Sequence, residues 1–145
     1  MNGSTTAVDR PTQGEGYMSP GQLAYFRQLL QGLRQELEFR NRRNRVGMPV
    51  EQPCPADPVD QGALAWEWDQ LFQGRMRSQR MLAQVHAALA RIENGSYGYC
   101  ELTGEPIGLQ RLLSQPLANL SIEAQEHLEQ RRRLARANGL DFHPT

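Results

Sequence analysis

Residues 57–93 read DPVDQGALAWEWDQLFQGRMRSQRMLAQVHAALARIE, and this stretch decides the fold. Leu64, Trp68, Leu71, Arg75, Ser78, Leu82, Val85, Leu89 and Ile92 recur at alternating spacings of four and three. That alternation is the seam of a helix paired with another helix. It predicts a helix that begins around Asp57 to Asp60 and ends near Glu93. At 1.5 Å per residue it spans on the order of 50 Å. Asp57 and Asp60 read locally as a Pro-flanked N-cap pair for this helix.

A second seam lies upstream. Leu23, Phe26, Leu30, Leu33 and Leu37 alternate at three and four. Ser19-Pro20-Gly21-Gln22 supplies the start signal, with Gln22 completing a capping box. Gly32 lies mid-helix, at a cost of about 1 kcal/mol against alanine. Arg40, Asn41, Arg42, Arg43, Asn44 and Arg45 then replace the seam with a basic, polar run, and the helix is expected to fray by Gly47. Pro49, Pro53, Pro55 and Pro58 exclude a regular helix through the connection. Two seams joined by such a reversal pair most simply as an antiparallel hairpin. A symmetric register sets Leu37 against the Trp68/Leu71 region, and Phe26 and Leu30 against Ser78 and Leu82. Apolar contacts are then denser at the base than at the tip.

Asn94-Gly95-Ser96 carries turn chemistry. Residues 96–120 are short, Gly/Pro-punctuated pieces anchored by Tyr97, Tyr99, Ile107, Leu109, Leu112 and Leu113. Such a piece is too small for an ordinary core and needs a metal or a helix to pack on. Ser121 opens a final helix to about Asn138, carrying Ile122, Leu128 and Leu134, with Glu123 at a capping-box position and Arg131, Arg132 and Arg133 in its C-terminal half. The fold class is therefore mainly α: a long antiparallel coiled-coil hairpin, a small degenerate zinc-finger-like globular part and a C-terminal helix. The divisions are a disordered tail at 1–17, a hairpin at 18–95 with its tip near 47–62, a zinc-finger-like remnant at 96–124, a helix at 121–138 and a tail at 139–145.

Composition narrows the function. Lys+Arg and Asp+Glu are each 16 of 145 residues, so the formal net charge is zero, and every one of the cations is arginine. A general nucleic-acid clamp needs a basic surface to displace counterions, and no reading helix is evident. No apolar run approaches the ~20 residues of a membrane span. Residues 1–16 lack the basic start and apolar core of a secretory signal. Two cysteines in unrelated contexts make no disulfide framework, and a cytoplasmic, reducing setting is expected. Paired carboxylates can bind Mg²⁺ or act as acid and base. Asp57 and Asp60 have no histidine, lysine or phosphate-binding loop beside them, so no enzymatic activity and no catalytic residue are expected. Cys54, within Pro53-Cys54-Pro55, has no nearby cation to activate it and reads as an incidental thiol.

Tyr97-Gly98-Tyr99-Cys100 and Gly104-Glu105-Pro106-Ile107 look like half a zinc knuckle. In a C-x2-C, x17, C-x2-C pattern the other corners fall on Thr103, Ser121 and Ala124. Structural zinc takes four N or S donors. One thiol, two hydroxyls and a methyl do not make that set, and His127 or Glu123 is the nearest substitute. Cys100 reads as a small buried hydrophobe, with no cofactor and no metal expected.

These blocks together resemble the DksA/TraR family of RNA-polymerase-binding transcription factors, closest to its zinc-free paralogues. The resemblance covers roughly residues 17–138. It rests on Met18-Ser19-Pro20, Gln22-Leu23-Ala24 and Phe26-Arg27, on Asp57-Pro58-Val59-Asp60, on Tyr97-Gly98-Tyr99-Cys100 with Glu105 and Ile107-Gly108, and on Arg111-Leu112 and Pro116. It implies a coiled coil that enters the secondary channel of RNA polymerase, against its β′ subunit. An acidic tip of Asp57 and Asp60 would modulate open-complex stability at ribosomal-RNA-type and other promoters. Gly62 stands where the family places alanine. Arg77, with Arg75 and Arg80 nearby, matches a polymerase-contacting position. The basic positions of a composite guanosine tetraphosphate site fall on Gln84, Gln115 and Gln125, which implies a weak response to the alarmone there. A monomer is expected, because the hairpin satisfies its own seam. The alternative is a coiled-coil adaptor, or a competitor for the secondary channel with no transcriptional output of its own.

Overall fold

The computed structural model describes residues 16–46 and 57–139, and Cys54 lies outside them. Among the described residues four helices follow in order: α1 Pro20–Val46, α2 Pro58–Asn94, α3 Leu109–Ser114 and α4 Ile122–Ala137. The described residues form no strand beyond a single antiparallel bridge between Tyr99 and Pro106. The mainly α class and the paired long helices stand as read. No helix among the described residues is long and apolar enough to cross a membrane. The chain gathers into two compact units: Arg27–Ala90, and the residues up to Phe26 together with those from Arg91 onward.

Helix α1 starts where its cap requires. The Gln22 N–H donates to Ser19 Oγ at 3.2 Å, and Gln22 Oε1 accepts the Met18 N–H at 2.9 Å. The reciprocal bond of the expected capping box thus reaches one residue further back than Ser19. Within Arg27–Ala90 the buried apolar residues are Leu30, Leu37, Val85 and Ala88, and Leu33, Leu82 and Leu89 are half-buried. Asn41 extends the α1 seam by one turn, where a basic polar run was expected, and its Oδ1 accepts the Ser78 hydroxyl at 2.6 Å.

That bond also fixes the register. In an antiparallel pair the facing numbers keep a constant sum, so Asn41 across from Ser78 puts Leu37 near Leu82 and Leu30 near Leu89. The expected facing of Leu37 with Trp68 and Leu71, and of Leu30 with Leu82, is corrected accordingly. The seam repeats every turn and so allows several pairings, and the Asn41–Ser78 hydrogen bond marks the one adopted. By the same register α1 ends across from Gln73; on the seam side of α2 beyond it, Leu71 is 55 % exposed and Trp68 and Leu64 are half-buried.

The second unit is built on Tyr97, the largest fully buried side chain. Its ring packs against Phe26 at 5.4 Å between centroids, and its hydroxyl donates to Pro116 O at 2.8 Å. Burial pushes this phenol far above its ordinary pKa, against the opposing pull of Arg91. Ile107, Leu112, Cys100 and Ala124 complete the apolar interior. Helix α4 is capped by Ser121, whose Oγ accepts the Ala124 N–H at 3.2 Å. A capping box needs its acid three residues after the cap, and that residue is Ala124; Glu123 sits one short and contributes only its charge to the first turn. Ile122 and Leu134 of α4 are exposed rather than packed.

Candidate functional site

At the start of α2 the Asp57 carboxylate accepts the Val59 N–H at 2.9 Å, and the Gln61 N–H closes the first turn on Asp57 O at 2.9 Å. Asp57 is therefore a working N-cap. Asp60, in the first turn, is exposed and has no partner among the described residues. Gly62 lies one turn on, and a Cβ there would meet nothing within 4 Å. The two carboxylates thus stand at the N-terminal end of α2, where the helix dipole favours negative charge.

Further along α2, Arg77, Arg80 and Gln84 follow at three- and four-residue steps, which brings them to one helix face, and all three are exposed. Arg75 does not join that face. It belongs to the seam side and is half-buried. Gln115 and Gln125 lie in the other unit. Gln115 ends α3 with its N–H on Arg111 O at 2.7 Å. Gln125 accepts a hydrogen bond from the Arg111 guanidinium and donates to Glu129 at 3.0 Å. Its amide is engaged within the protein and carries no charge.

The four corners of the knuckle do come together. Cys100, Ser121 and Ala124 are buried, with Thr103 exposed beside them. Burial pushes the Cys100 thiol up. Hydrogen bonds from the Thr103 hydroxyl and from the backbone of Ser121, Thr103 and Leu102 outweigh it, and the thiol falls to about 7. The residues do not fit a zinc ion. Thr103 donates to the sulfur, Ser121 Oγ is committed to the cap, and Ala124 has no donor atom. Glu123 and His127 are exposed, and among the described residues no three His, Cys, Asp or Glu side chains cluster as a metal site would require.

Two features escaped the sequence reading. Tyr17, assigned there to the tail, is bonded into the knuckle: its hydroxyl donates to Gly98 O and accepts the Gly108 N–H. Its adjacency to the Ser19 cap was the available signal. Arg91, in the last turn of α2, is buried, with its guanidinium 6.0 Å from the Tyr97 ring and 3.7 Å from Glu101. A seam-and-charge reading has no signal for a buried arginine.

Comparison with known proteins bears on this arrangement. Residues 95–130 match the family model described as the prokaryotic dksA/traR C4-type zinc finger. The RNA polymerase-binding transcription factor DksA of Caulobacter vibrioides is 39 % identical over 127 residues, covering 88 % of this chain and 89 % of that protein. The protein of the same name from Escherichia coli K12 is 34 % identical over 110 residues, covering 76 % and 73 %. The solved structure of transcription factor DksA2 from Pseudomonas aeruginosa superposes with a TM-score of 0.71 at 36 % identity, covering 87 % of this chain and 95 % of that one.

Proposed function

Because the chain belongs to the DksA/TraR family, we propose that it is a transcription regulator that binds RNA polymerase and recognises no DNA sequence of its own. The likeness, over three quarters or more of this chain, to proteins named for RNA polymerase binding carries this reading. In it, the hairpin enters the secondary channel against the β′ subunit. Asp57 and Asp60 act at the tip, and they modulate the stability of open complexes at ribosomal-RNA-type promoters. The exposed carboxylates at the start of α2 support that assignment, as does the absence of any partner for Asp60 among the described residues. Arg77 and Arg80 form the contact face further up α2, with Arg75 beside it. The protein works as a monomer in the cytoplasm.

Two further points follow from the donor sets. The knuckle functions without zinc, since hydrogen bonds to the Cys100 sulfur and the Ser121 cap occupy the corners a metal would need. The response to guanosine tetraphosphate at a composite site is weak. A polyanion calls for guanidinium or ammonium partners, whereas Gln84, Gln115 and Gln125 are neutral and Gln125 is already hydrogen-bonded.

Equilibrium binding to core RNA polymerase tests the proposal. Wild type and Asp57→Asn/Asp60→Asn are expected to bind alike, and Arg77→Ala more weakly by about tenfold or more, the loss expected when a charge is removed from an interface. An undetectable interaction for wild type would contradict the reading. With the polymerase's own alarmone site disabled, added guanosine tetraphosphate is expected to leave the inhibition of a ribosomal promoter nearly unchanged.

A further inference from the structure

Residues 16–19 meet the knuckle through three separate contacts. The Tyr17 hydroxyl donates to Gly98 O at 2.5 Å and accepts the Gly108 N–H at 3.0 Å, so a single oxygen spans both arms of the ribbon. The Tyr17 ring stands edge-on to Tyr99 with centroids 5.6 Å apart. Met18 is held at φ 54°, the one non-glycine residue at positive φ among the described residues. An L residue in that region costs free energy and persists only where its surroundings enforce it. Here the Met18 side chain fills the space beside Gly98, where a Cβ would come within 2.7 Å of its Cγ and Sδ. Gly98 itself is at φ 91°, so glycine is required there twice over.

The ribbon needs such support. Its arms exchange the Cys100 N–H to Glu105 O and Ile107 N–H to Gly98 O bonds, each 2.8 Å, around a single bridge. A two-stranded ribbon of that length is marginal in water, and small loop-rich scaffolds depend on a crosslink. We propose that residues 16–19 are a clasp that holds the metal-free knuckle closed, with the Tyr17 hydroxyl as the crosslink between its two arms. The inference rests on the metal-free reading of Cys100, Thr103, Ser121 and Ala124. The clasp is continuous with the start of α1, because the Met18 N–H is held by Gln22 and the Gln22 N–H by Ser19. A covalent change at the Tyr17 hydroxyl, or cleavage between Tyr17 and Met18, would therefore open the ribbon and release the helix cap together.

Amide hydrogen exchange on the full chain tests it, for wild type and Tyr17→Phe, each with and without EDTA. Phenylalanine keeps the ring on Tyr99 and removes only the bridging oxygen. In the variant the Gly108 and Ile107 amides are expected to exchange about tenfold faster, as local opening requires, while amides of residues 78–88 in α2 keep the wild-type rate. EDTA is expected to change neither protein. Unchanged exchange at Gly108 in the variant would overturn the clasp, as would an equal acceleration throughout α2. If EDTA alone speeds exchange at Gly108 in wild type, a metal holds the ribbon and the metal-free reading fails instead.

Discussion

Asp57 binds the Val59 N–H with a carboxylate that is also exposed, so local folding and surface charge fall on the same group. The two can be separated chemically, because asparagine caps a helix nearly as well as aspartate and carries no charge. Asp57→Asn is expected to leave stability almost unchanged, and Asp57→Ala to lose about 1 kcal/mol, the usual worth of an N-cap. Chemical denaturation of the two variants checks this; equal losses would show that charge rather than capping holds the helix start. Cys100 offers a second residue-scale test. Its folded pKa lies below its ordinary 9.0, at about 7. The folded state therefore favours the thiolate, and the stability it contributes is complete above pH 9 and lost as pH falls through 7. The stability gap between wild type and Cys100→Ala should widen between pH 6.5 and pH 9 by roughly 2 kcal/mol at most, from a shift of about two units. A gap constant with pH would rule the thiolate out.

Among the elements, the long helices were legible because their seams repeat over many turns and their starts carry capping chemistry. α1 begins at Pro20, where the proline and cap signals put it, and α2 at Pro58, within the expected span of Asp57 to Asp60. The register expected from the sequence was wrong. The seam repeats every turn, so it does not say which turn faces which; the Asn41–Ser78 hydrogen bond marks the pairing adopted. Helix α3, of six residues, carries too few turns to show a period. The knuckle's corners were legible from their spacing, but the part played by Tyr17 was not, since its partners at Gly98 and Gly108 are backbone groups distant in sequence. Gly62 gives an element-scale prediction. It lies in the first turns of α2 with open space around its missing Cβ, so Gly62→Ala is expected to raise stability by about 0.5–1 kcal/mol through helix propensity alone. Thermal melting checks it; a lower melting temperature would mean the glycine has a steric role.

At the scale of the whole molecule, sixteen arginines balanced by sixteen carboxylates leave the chain without the basic excess that favours nucleic acid. Its relatives, alike over three quarters or more of this chain, are named for RNA polymerase. The family expectation of a C4 metal site meets a donor set that cannot build one, so the protein is expected to keep its helicity and melting temperature in chelator. Elemental analysis should find well under one zinc per chain; a stoichiometric ion with a fall in melting on its removal would refute this. The central claim is that Asp57 and Asp60 act on an open complex from within a polymerase that the rest of the chain binds. The lifetime of an open complex at a ribosomal RNA promoter, with polymerase saturated by wild type or by Asp57→Asn/Asp60→Asn, tests that claim most directly. The account predicts that wild type shortens the lifetime and that the double variant, equally bound, leaves it near that of polymerase alone. An equal shortening by both proteins, or none by wild type, would contradict it.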